Sequence, residues 1–246
     1  MIIETDDDLV KLREIGIICR DTLHAMHAAV RPGITPLELD NIAKSHFAMH
    51  GARSAPIVAY NFPGETCISV GDAIAHGIPN DIPLIEGQLI NIDVSAEKDG
   101  YFGDTGASAV IGQGNLAQKK LLEYTHKAQN VAMMACHTGQ PINSVGKMVE
   151  KIAEKGGYKI IAGLSGHGVG RWIHEDPTIP NVYHRKLNEK FKKGQVITIE
   201  PFLTTHSNNY VEDLDGWTLR LEMGGMGAQF EHTFVITDGA PIIITG

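Results

Sequence analysis

The stretch Leu89-Ile-Asn-Ile-Asp-Val-Ser-Ala-Glu-Lys-Asp-Gly-Tyr-Phe-Gly-Asp-Thr105 predicts the β-hairpin around which the chain folds. Apolar and polar residues alternate in its first half, so Asn91 and Asp93 share one face of a strand. Asp99-Gly100 is a typical hairpin turn. We therefore expect Asp93 and Asp104 to lie nearly opposite each other on adjacent strands, with a bulge adjusting the register. Such a pair suits two bridged metal ions, and an ordinary hairpin is the alternative.

Two further strand patterns each place one carboxylate on a polar face. Glu200 lies in Val196-Ile-Thr-Ile-Glu-Pro201, and Glu231 lies in Gln229-Phe-Glu-His-Thr-Phe-Val235. A single such carboxylate is ordinarily solvated on the outer face of a sheet. Several converging carboxylates are costly through repulsion and desolvation unless cations neutralise them. The set as a whole therefore favours a metal site.

Three of the twelve histidines stand apart by their context. His76 lies in Ala75-His-Gly-Ile-Pro79, while His167 and His174 lie in Gly166-His-Gly-Val-Gly-Arg-Trp-Ile-His-Glu-Asp-Pro177. The small residues beside His167 are expected to leave its ring accessible and to let backbone or substrate approach. Four carboxylates and an imidazole without a thiolate fit Mn, Fe, Co or Zn, and two ions would balance the charge.

The remaining sequence predicts two similar halves. Helical periodicity and capping residues indicate helices at about 6–30 and 35–51, followed by strand residues 66–75 with a turn at 71–72. The plan recurs with helices at about 115–136 and 143–156. Other strands are predicted near 88–96, 101–111, 158–164, 195–202, 217–222 and 228–237. We expect one α+β domain, residues 1–246, with halves of roughly 6–112 and 113–237.

Composition excludes several classes of protein. The 21 basic and 29 acidic residues give a net charge of −8 without a basic cluster, which argues against a nucleic-acid site. No apolar run approaches the length of a membrane span, and the acidic start is unlike a secretory signal. The three cysteines do not form a disulfide or zinc pattern. A cytoplasmic protein with reduced thiols and no membrane contact is expected.

Taken together, these motifs resemble the type I methionine aminopeptidases over essentially the whole chain. The resemblance rests on the following segments: Asn91-Ile-Asp-Val94, Gly103-Asp-Thr105, Gly166–Pro177, Thr198-Ile-Glu-Pro201, Ala228-Gln-Phe-Glu-His-Thr233, Cys67-Ile-Ser69 and Asp215-Gly-Trp-Thr218. It implies an α+β pita-bread fold, in which two halves related by a pseudo-twofold axis surround a shared antiparallel sheet.

The resemblance also implies a role for each matching residue. Asp93 would chelate one ion, Asp104 and Glu231 would bridge both, and His167 and Glu200 would complete the other. Catalysis would involve Glu200 as proton carrier, with His174 near the developing oxyanion and His76 near the scissile amide. The implied cofactors are two divalent ions among Co, Mn, Fe and Zn.

The implied activity is removal of the N-terminal methionine from peptides and nascent chains, with preference for a small second residue. Phe62, Cys67 and Trp217, together with His76 and His174, match the family's substrate pocket. Ile173 stands where an aromatic residue is usual, and Pro56 and Ala59 stand where cysteine and tyrosine are common. A monomer with transient ribosome association is the expected state.

The sequence also leaves room for other functions. The departures in the pocket would also suit a paralogue with altered N-terminal specificity, and the fold could serve as a non-catalytic peptide-binding module. Gly163-Leu-Ser-Gly-His167 approaches a serine-hydrolase motif but ends in histidine. Cys67 with His76 is a cysteine-hydrolase pairing without geometric support. The glycines at 166, 168 and 170 have the wrong spacing for a dinucleotide loop.

Overall fold

The computed structural model describes all residues from Met1 to Gly246. Five helices are present: α1 (Asp6–Ala29), α2 (Pro36–His50), α3 (Ala55–Tyr60), α4 (Leu116–Met134) and α5 (Ser144–Gly156). The strands are β1 (Arg53–Ser54), β2 (Cys67–Val70), β3 (Ala73–Ala75), β4 (Leu89–Lys98), β5 (Tyr101–Val110), β6 (Lys159–Ile160), β7 (Ser165–Gly168), β8 (Glu175–Pro180), β9 (Val196–Ile199), β10 (Phe202–Thr204), β11 (Tyr210–Glu212), β12 (Leu219–Leu221), β13 (Gly227–Val235) and β14 (Ile242–Ile243). No helix combines the length and apolar character that crossing a membrane requires.

Four of the five helices lie within two residues of their predicted bounds. Thr35 caps α2 by accepting the backbone N–H of Glu38, whose carboxylate accepts the backbone N–H of Thr35 in return. Gly51 ends this helix in the left-handed conformation, at φ 66°. Such capping matters because helices of this length are only marginally stable in isolation.

A single eleven-stranded sheet organises the molecule, and every strand pair in it is antiparallel. Its main path runs β1-β4-β5-β13-β9-β7-β8, so β5 of the first half pairs directly with β13 of the second. A small sheet of β11, β12 and β3 lies beside it. Strands distant in sequence thus meet at the β5–β13 junction.

Helices cover this sheet in two groups. α1 packs on β4 and β5, and α4 packs on β13, with α2 and α5 behind them. Ile15 and Ile92 are fully buried in the first core, and Leu121 and Phe234 are fully buried in the second. Burying side chains of this size contributes roughly 1.5–3 kcal/mol each. The two cores hold the central strands rigidly from behind.

The hairpin differs from the prediction in its register. Asp99 and Gly100 form the two-residue turn, both at positive φ, but Asp104 pairs with Ser95 and Asp93 pairs with Gly106. The ladder runs without a bulge. The expectation that the two carboxylates lie opposite each other was therefore wrong. They are diagonal neighbours on one face, because the turn is centred one residue later than assumed.

Other differences follow from weak local signals. The short helix α3 was not predicted, because six residues show no helical period. β8 was missed because its two prolines argue against a strand, and it is tolerated at the edge of the sheet. The strand predicted at 158–164 shrinks to Lys159–Ile160, and Glu200-Pro201 divides the one predicted at 195–202.

Candidate metal centre

Three carboxylates surround the β-carbon-free position Gly106 in the middle of the sheet. Asp93 on β4 and Glu231 on β13 both pair with Gly106, one from each side. Asp104 precedes Gly106 by two residues on β5 and therefore shares its face. The strand register alone brings the three side chains onto one patch of the sheet, and Asp104 and Glu231 are almost fully buried there.

His167 and Glu200 approach the same patch from neighbouring strands. His167 lies on β7, and its Nε2 is 3.4 Å from Glu200 Oε1 and 3.6 Å from Asp104 Oδ2. Glu200 directly follows β9, which pairs with β7. Thr198 Oγ1 accepts the His167 backbone N–H at 3.2 Å and donates to Glu200 Oε1 at 3.4 Å. Thr198 thereby connects the two segments.

The glycines beside His167 serve the packing of backbones. A β-carbon on Gly166 would lie 2.4 Å from the Thr198 carbonyl oxygen, and one on Gly168 would lie 2.3 Å from that of Asp176. The adjacent strands therefore approach as closely as only glycine permits. The His167 side chain is only 10% exposed. The expected close approach of backbone is observed, and His167 lines the cavity that holds the other site residues.

Burial and mutual repulsion disfavour negative charge on these carboxyl groups. Burial raises the pKa of Asp93 to about 6. Burial, reinforced by neighbouring carboxylates, raises the pKa values of Asp104, Glu200 and Glu231 well above the usual range. Burial also lowers the pKa of His167, so its ring is neutral near pH 7. No protein cation balances the cluster, which is the electrostatic signature of a cation site.

The donor atoms fit divalent metal ions. Donor atoms of Asp104, His167 and Glu231 all lie within 4.8 Å of one another. Asp104 Oδ1 and Glu231 Oε1 are buried without a hydrogen-bond partner. His167 Nδ1 donates to the Gly168 carbonyl oxygen at 2.9 Å, leaving the Nε2 lone pair turned toward the carboxylates. Oxygen donors with one imidazole suit Mn, Fe, Co or Zn.

A buried amide relay, which the sequence analysis missed, supports Glu231. Asn91 Nδ2 donates to Gln229 Oε1 at 2.8 Å, and Gln229 Nε2 donates to Glu231 Oε2 at 3.0 Å. The relay leaves one oxygen of Glu231 free for a metal. Its signal in the sequence was the pattern that puts Asn91 and Gln229 on the same strand faces as Asp93 and Glu231.

One cavity of about 250 Å³ contains the whole candidate set. It is lined by every site residue that the sequence analysis named: Phe62, Cys67, His76, Asp93, Asp104, His167, Ile173, His174, Glu200, Trp217 and Glu231. Pro56, Tyr60 and Ser95 also line it. Tyr60 had not been singled out because it lies on α3, which the sequence pattern did not reveal.

Two histidines face this cavity beside the carboxylates. The His174 ring lies 4.3 Å from the His167 ring between centroids. Desolvation lowers the pKa of both His174 and His76, and the neighbouring imidazoles lower that of His174 further. His76 has a φ of 53°, a conformation that costs energy in a residue other than glycine and is common at functional sites. Both rings are neutral and can donate or accept one hydrogen bond at each nitrogen.

Part of the cavity wall is apolar. Phe62 and Trp217 meet edge to face at 5.1 Å, and Ile173 is buried beside them. Burial and the nearby carboxylates raise the pKa of the Cys67 thiol well above its usual range. A thiol held neutral in this way is a poor nucleophile, so Cys67 contributes packing to the wall.

Comparison with known proteins gives the same family from sequence and from structure. The profile of Metallopeptidase family M24 matches residues 10–238. A methionine aminopeptidase of Staphylococcus epidermidis is 42% identical, covering 100% of this chain and 98% of the relative. Methionine aminopeptidase 2 of Bacillus subtilis is also 42% identical, covering 100% and 99%. The methionine aminopeptidase structure from Rickettsia prowazekii superposes with a TM-score of 0.95 at 32% identity, covering 100% of both chains.

The expected α+β pita-bread fold is thereby confirmed, since the solved relatives share this arrangement around an antiparallel sheet. With the profile spanning nearly the whole sequence and relatives aligning from end to end, the chain belongs to metallopeptidase family M24.

Proposed function

We propose that this chain hydrolyses the N-terminal methionine from peptides and nascent proteins, with preference for a small second residue. One observation carries the proposal: the apolar wall of Phe62, Ile173 and Trp217 abuts the carboxylate and imidazole cluster within a single cavity of about 250 Å³. Substrate pockets commonly measure about 300–1,000 Å³, so this one suits a single terminal residue. The family assignment and the named relatives support the same activity.

The cofactors are divalent metal ions, in keeping with the family and with the donor set. We assign five side chains to a pair of ions: Asp93, Asp104, His167, Glu200 and Glu231. Such a pair would supply acidity to a bound water and polarise the scissile carbonyl. Asp104 and Glu231, which each have one buried oxygen without a hydrogen-bond partner, would contact both ions.

The protein's own groups then manage protons and orientation. Glu200 accepts a hydrogen bond from Thr198 and sits on the cavity wall, where it can carry a proton toward the leaving amine. His174 donates a hydrogen bond to the carbonyl oxygen as negative charge develops there. His76 holds the scissile amide from its own side of the cavity. Both histidines suit hydrogen bonding because desolvation keeps their rings neutral.

The apolar wall of the cavity explains the selectivity for a methionine side chain. The edge-to-face pair of Phe62 and Trp217 presents aromatic edges and faces to a thioether, which makes favourable contacts with aromatic rings. An unbranched side chain can bend into the space beside Ile173. The carboxylates that line the same cavity favour the positively charged terminal amine of a substrate.

The proposal includes the organisation of the protein. Residues 1–246 form one catalytic domain with pseudo-repeat halves of roughly 6–112 and 113–237, an assignment supported by the direct pairing of β5 with β13. Peptide and nascent-chain N-termini are the partners, with transient ribosome contact. A monomer in the cytoplasm is the working form, and size-exclusion chromatography with light scattering tests the monomer.

The test measures free methionine released from Met-Ala-Ser and Met-Gly-Met-Met. Protein stripped with chelator is reloaded in turn with Mn, Co, Fe and Zn, and peptides starting with Leu or Pro are the controls. We expect metal-dependent release from the methionine peptides alone. Equal cleavage of the Leu controls, or no release by protein that holds two ions, contradicts the proposed specificity.

A further inference from the structure

Tyr60, a residue without an assigned role, makes a direct hydrogen bond to the cavity residue His174. Its Oη lies 2.5 Å from His174 Nδ1, and the two rings are 5.5 Å apart at an interplanar angle of 45°. Tyr60 itself lines the cavity. The phenol therefore contacts Nδ1 of His174. Nε2 is left as the ring nitrogen that can bind substrate.

The backbone fixes Tyr60 in this place despite the 43% exposure of the residue. Tyr60 is the last residue of α3, which Ser54 caps by accepting the backbone N–H of Ile57 at 3.3 Å. Ser54 Oγ also donates to the Glu65 carbonyl oxygen at 2.8 Å. Asn61 closes the helix at φ 61° by donating its N–H to the Ile57 carbonyl oxygen. A six-residue helix capped at both ends thus presents one phenol to His174.

A neutral imidazole carries one proton, and the partner of one nitrogen decides which nitrogen holds it. A phenol O–H is a strong donor, and a bare imidazole nitrogen is a strong acceptor. Donation from Tyr60 to Nδ1 places the proton of His174 on Nε2. The reverse arrangement would leave Nε2 bare and unable to donate to a carbonyl oxygen.

We propose that Tyr60 is a positioning residue, which donates its hydroxyl proton to His174 Nδ1 and so holds His174 as an Nε2–H donor to the substrate carbonyl oxygen. This inference rests on the proposed function for its catalytic consequence but not for the tautomer itself. Without the phenol, the ring is free to rotate and to exchange tautomers.

The first test reads the tautomer in metal-free protein, where no activity is needed. Nitrogen-15 shifts of the imidazoles in wild type should report His174 with a protonated Nε2 and a bare Nδ1. In Tyr60→Phe, which keeps the ring but removes the hydroxyl, the two nitrogens should shift toward the average of both tautomers. Tyr183→Phe is the matched control, since Tyr183 is 38% exposed and lies outside the cavity. A protonated Nδ1 in wild type, or no change in Tyr60→Phe, overturns the proposal.

The second test asks whether Tyr60 acts through His174. In metal-loaded protein we expect Tyr60→Phe to lower kcat for Met-Ala-Ser by about tenfold, the equivalent of one net hydrogen bond, with KM nearly unchanged. In a His174→Ala background the same substitution should change kcat by less than about twofold, because the group it positions is gone.

The two tests separate the positioning role of Tyr60 from the proposed function of the protein. Equal losses in both backgrounds, or an unchanged kcat in Tyr60→Phe, overturn the positioning role. A protein that releases no methionine contradicts the proposed function, while the nitrogen shifts still decide the tautomer.

Discussion

Substituting Glu231 by glutamine should stabilise the metal-free protein and weaken the metal-loaded one. The change removes one negative charge from the buried cluster and keeps the shape of the side chain. Gln229 can still donate to the remaining carbonyl oxygen, and the new amide N–H group faces a cluster in which Asp104 Oδ1 has no partner. The two forms of the protein should therefore respond in opposite directions.

The structure sets the size of the effect. Donor atoms of Asp104 and Glu231 lie within 4.8 Å, where two like charges repel by about 3 kcal/mol at an effective dielectric constant of about 20. The wild-type site relieves part of this repulsion by binding protons, so we expect the free energy of unfolding to rise by about 1–3 kcal/mol. For a chain of this size, each kcal/mol moves Tm by about 2–4 °C.

The pH dependence has a definite sign. Burial raises the pKa of Glu231, so protonation favours the folded wild type and its stabilising contribution is complete below the ordinary glutamate pKa. That contribution is lost as pH rises through the raised value. The advantage of Glu231→Gln should therefore be largest at neutral to alkaline pH and should shrink as pH falls toward about 4.5.

Urea and thermal unfolding at several pH values, with chelator and then with added Mn, measure both effects. Glu123→Gln, at an exposed glutamate on α4, is the matched control and should change neither state. Added metal should raise the Tm of wild type more than that of the variant. The variant binds the ions less tightly, and only bound ions stabilise the folded state. A metal-free Glu231→Gln protein that is less stable than wild type by more than about 1 kcal/mol would refute the electrostatic argument.

Three further outcomes are expected. Asp104→Asn should lose tight binding of the metal pair, since a bridging group loses a charge and a donor oxygen; two ions retained per chain by elemental analysis would contradict this. His76→Ala and His174→Ala should lower turnover by about 10²-fold or more while metal content stays intact; loss of metal in both would identify them as ligands. Metal affinity, followed by competition with a chelating dye, should fall between pH 8 and pH 6, because burial and repulsion raise the carboxyl pKa values and protons compete with the ions; an affinity independent of pH would contradict the role of the cluster.

Strong local patterns made much of the fold predictable. The alternation around Asp93, the turn at Asp99-Gly100 and the capped start at Thr35 each had one dominant physical interpretation. The register of the hairpin had no single interpretation, because a shift of the turn by one residue leaves the pattern of faces almost unchanged. Only the assembled sheet shows that Asp93 and Glu231 flank Gly106.

The site was less predictable for residues that support another site residue by a hydrogen bond. Its acidic residues were visible from strand faces, and the resemblance to a family supplied their grouping. Gln229 shares a strand face with Glu231, but a neutral amide gives no sign of its partner, so its supporting role was not predicted. Tyr60 was passed over because α3 is too short for periodicity, so nothing local indicated that it faces His174.

The junction of β5 with β13 has a consequence for cooperativity. Of the proposed metal donors, Asp93 and Asp104 precede residue 113, and His167, Glu200 and Glu231 follow it. Neither portion of the chain contains the full donor set, so the binding energy of the ions is available only when both are docked. Partial opening of either portion would forfeit that energy. In the metal-loaded protein, the two portions should therefore unfold as one unit. Hydrogen exchange should show this as equal amide protection on both sides of the sheet, higher than either side has when the ions are removed.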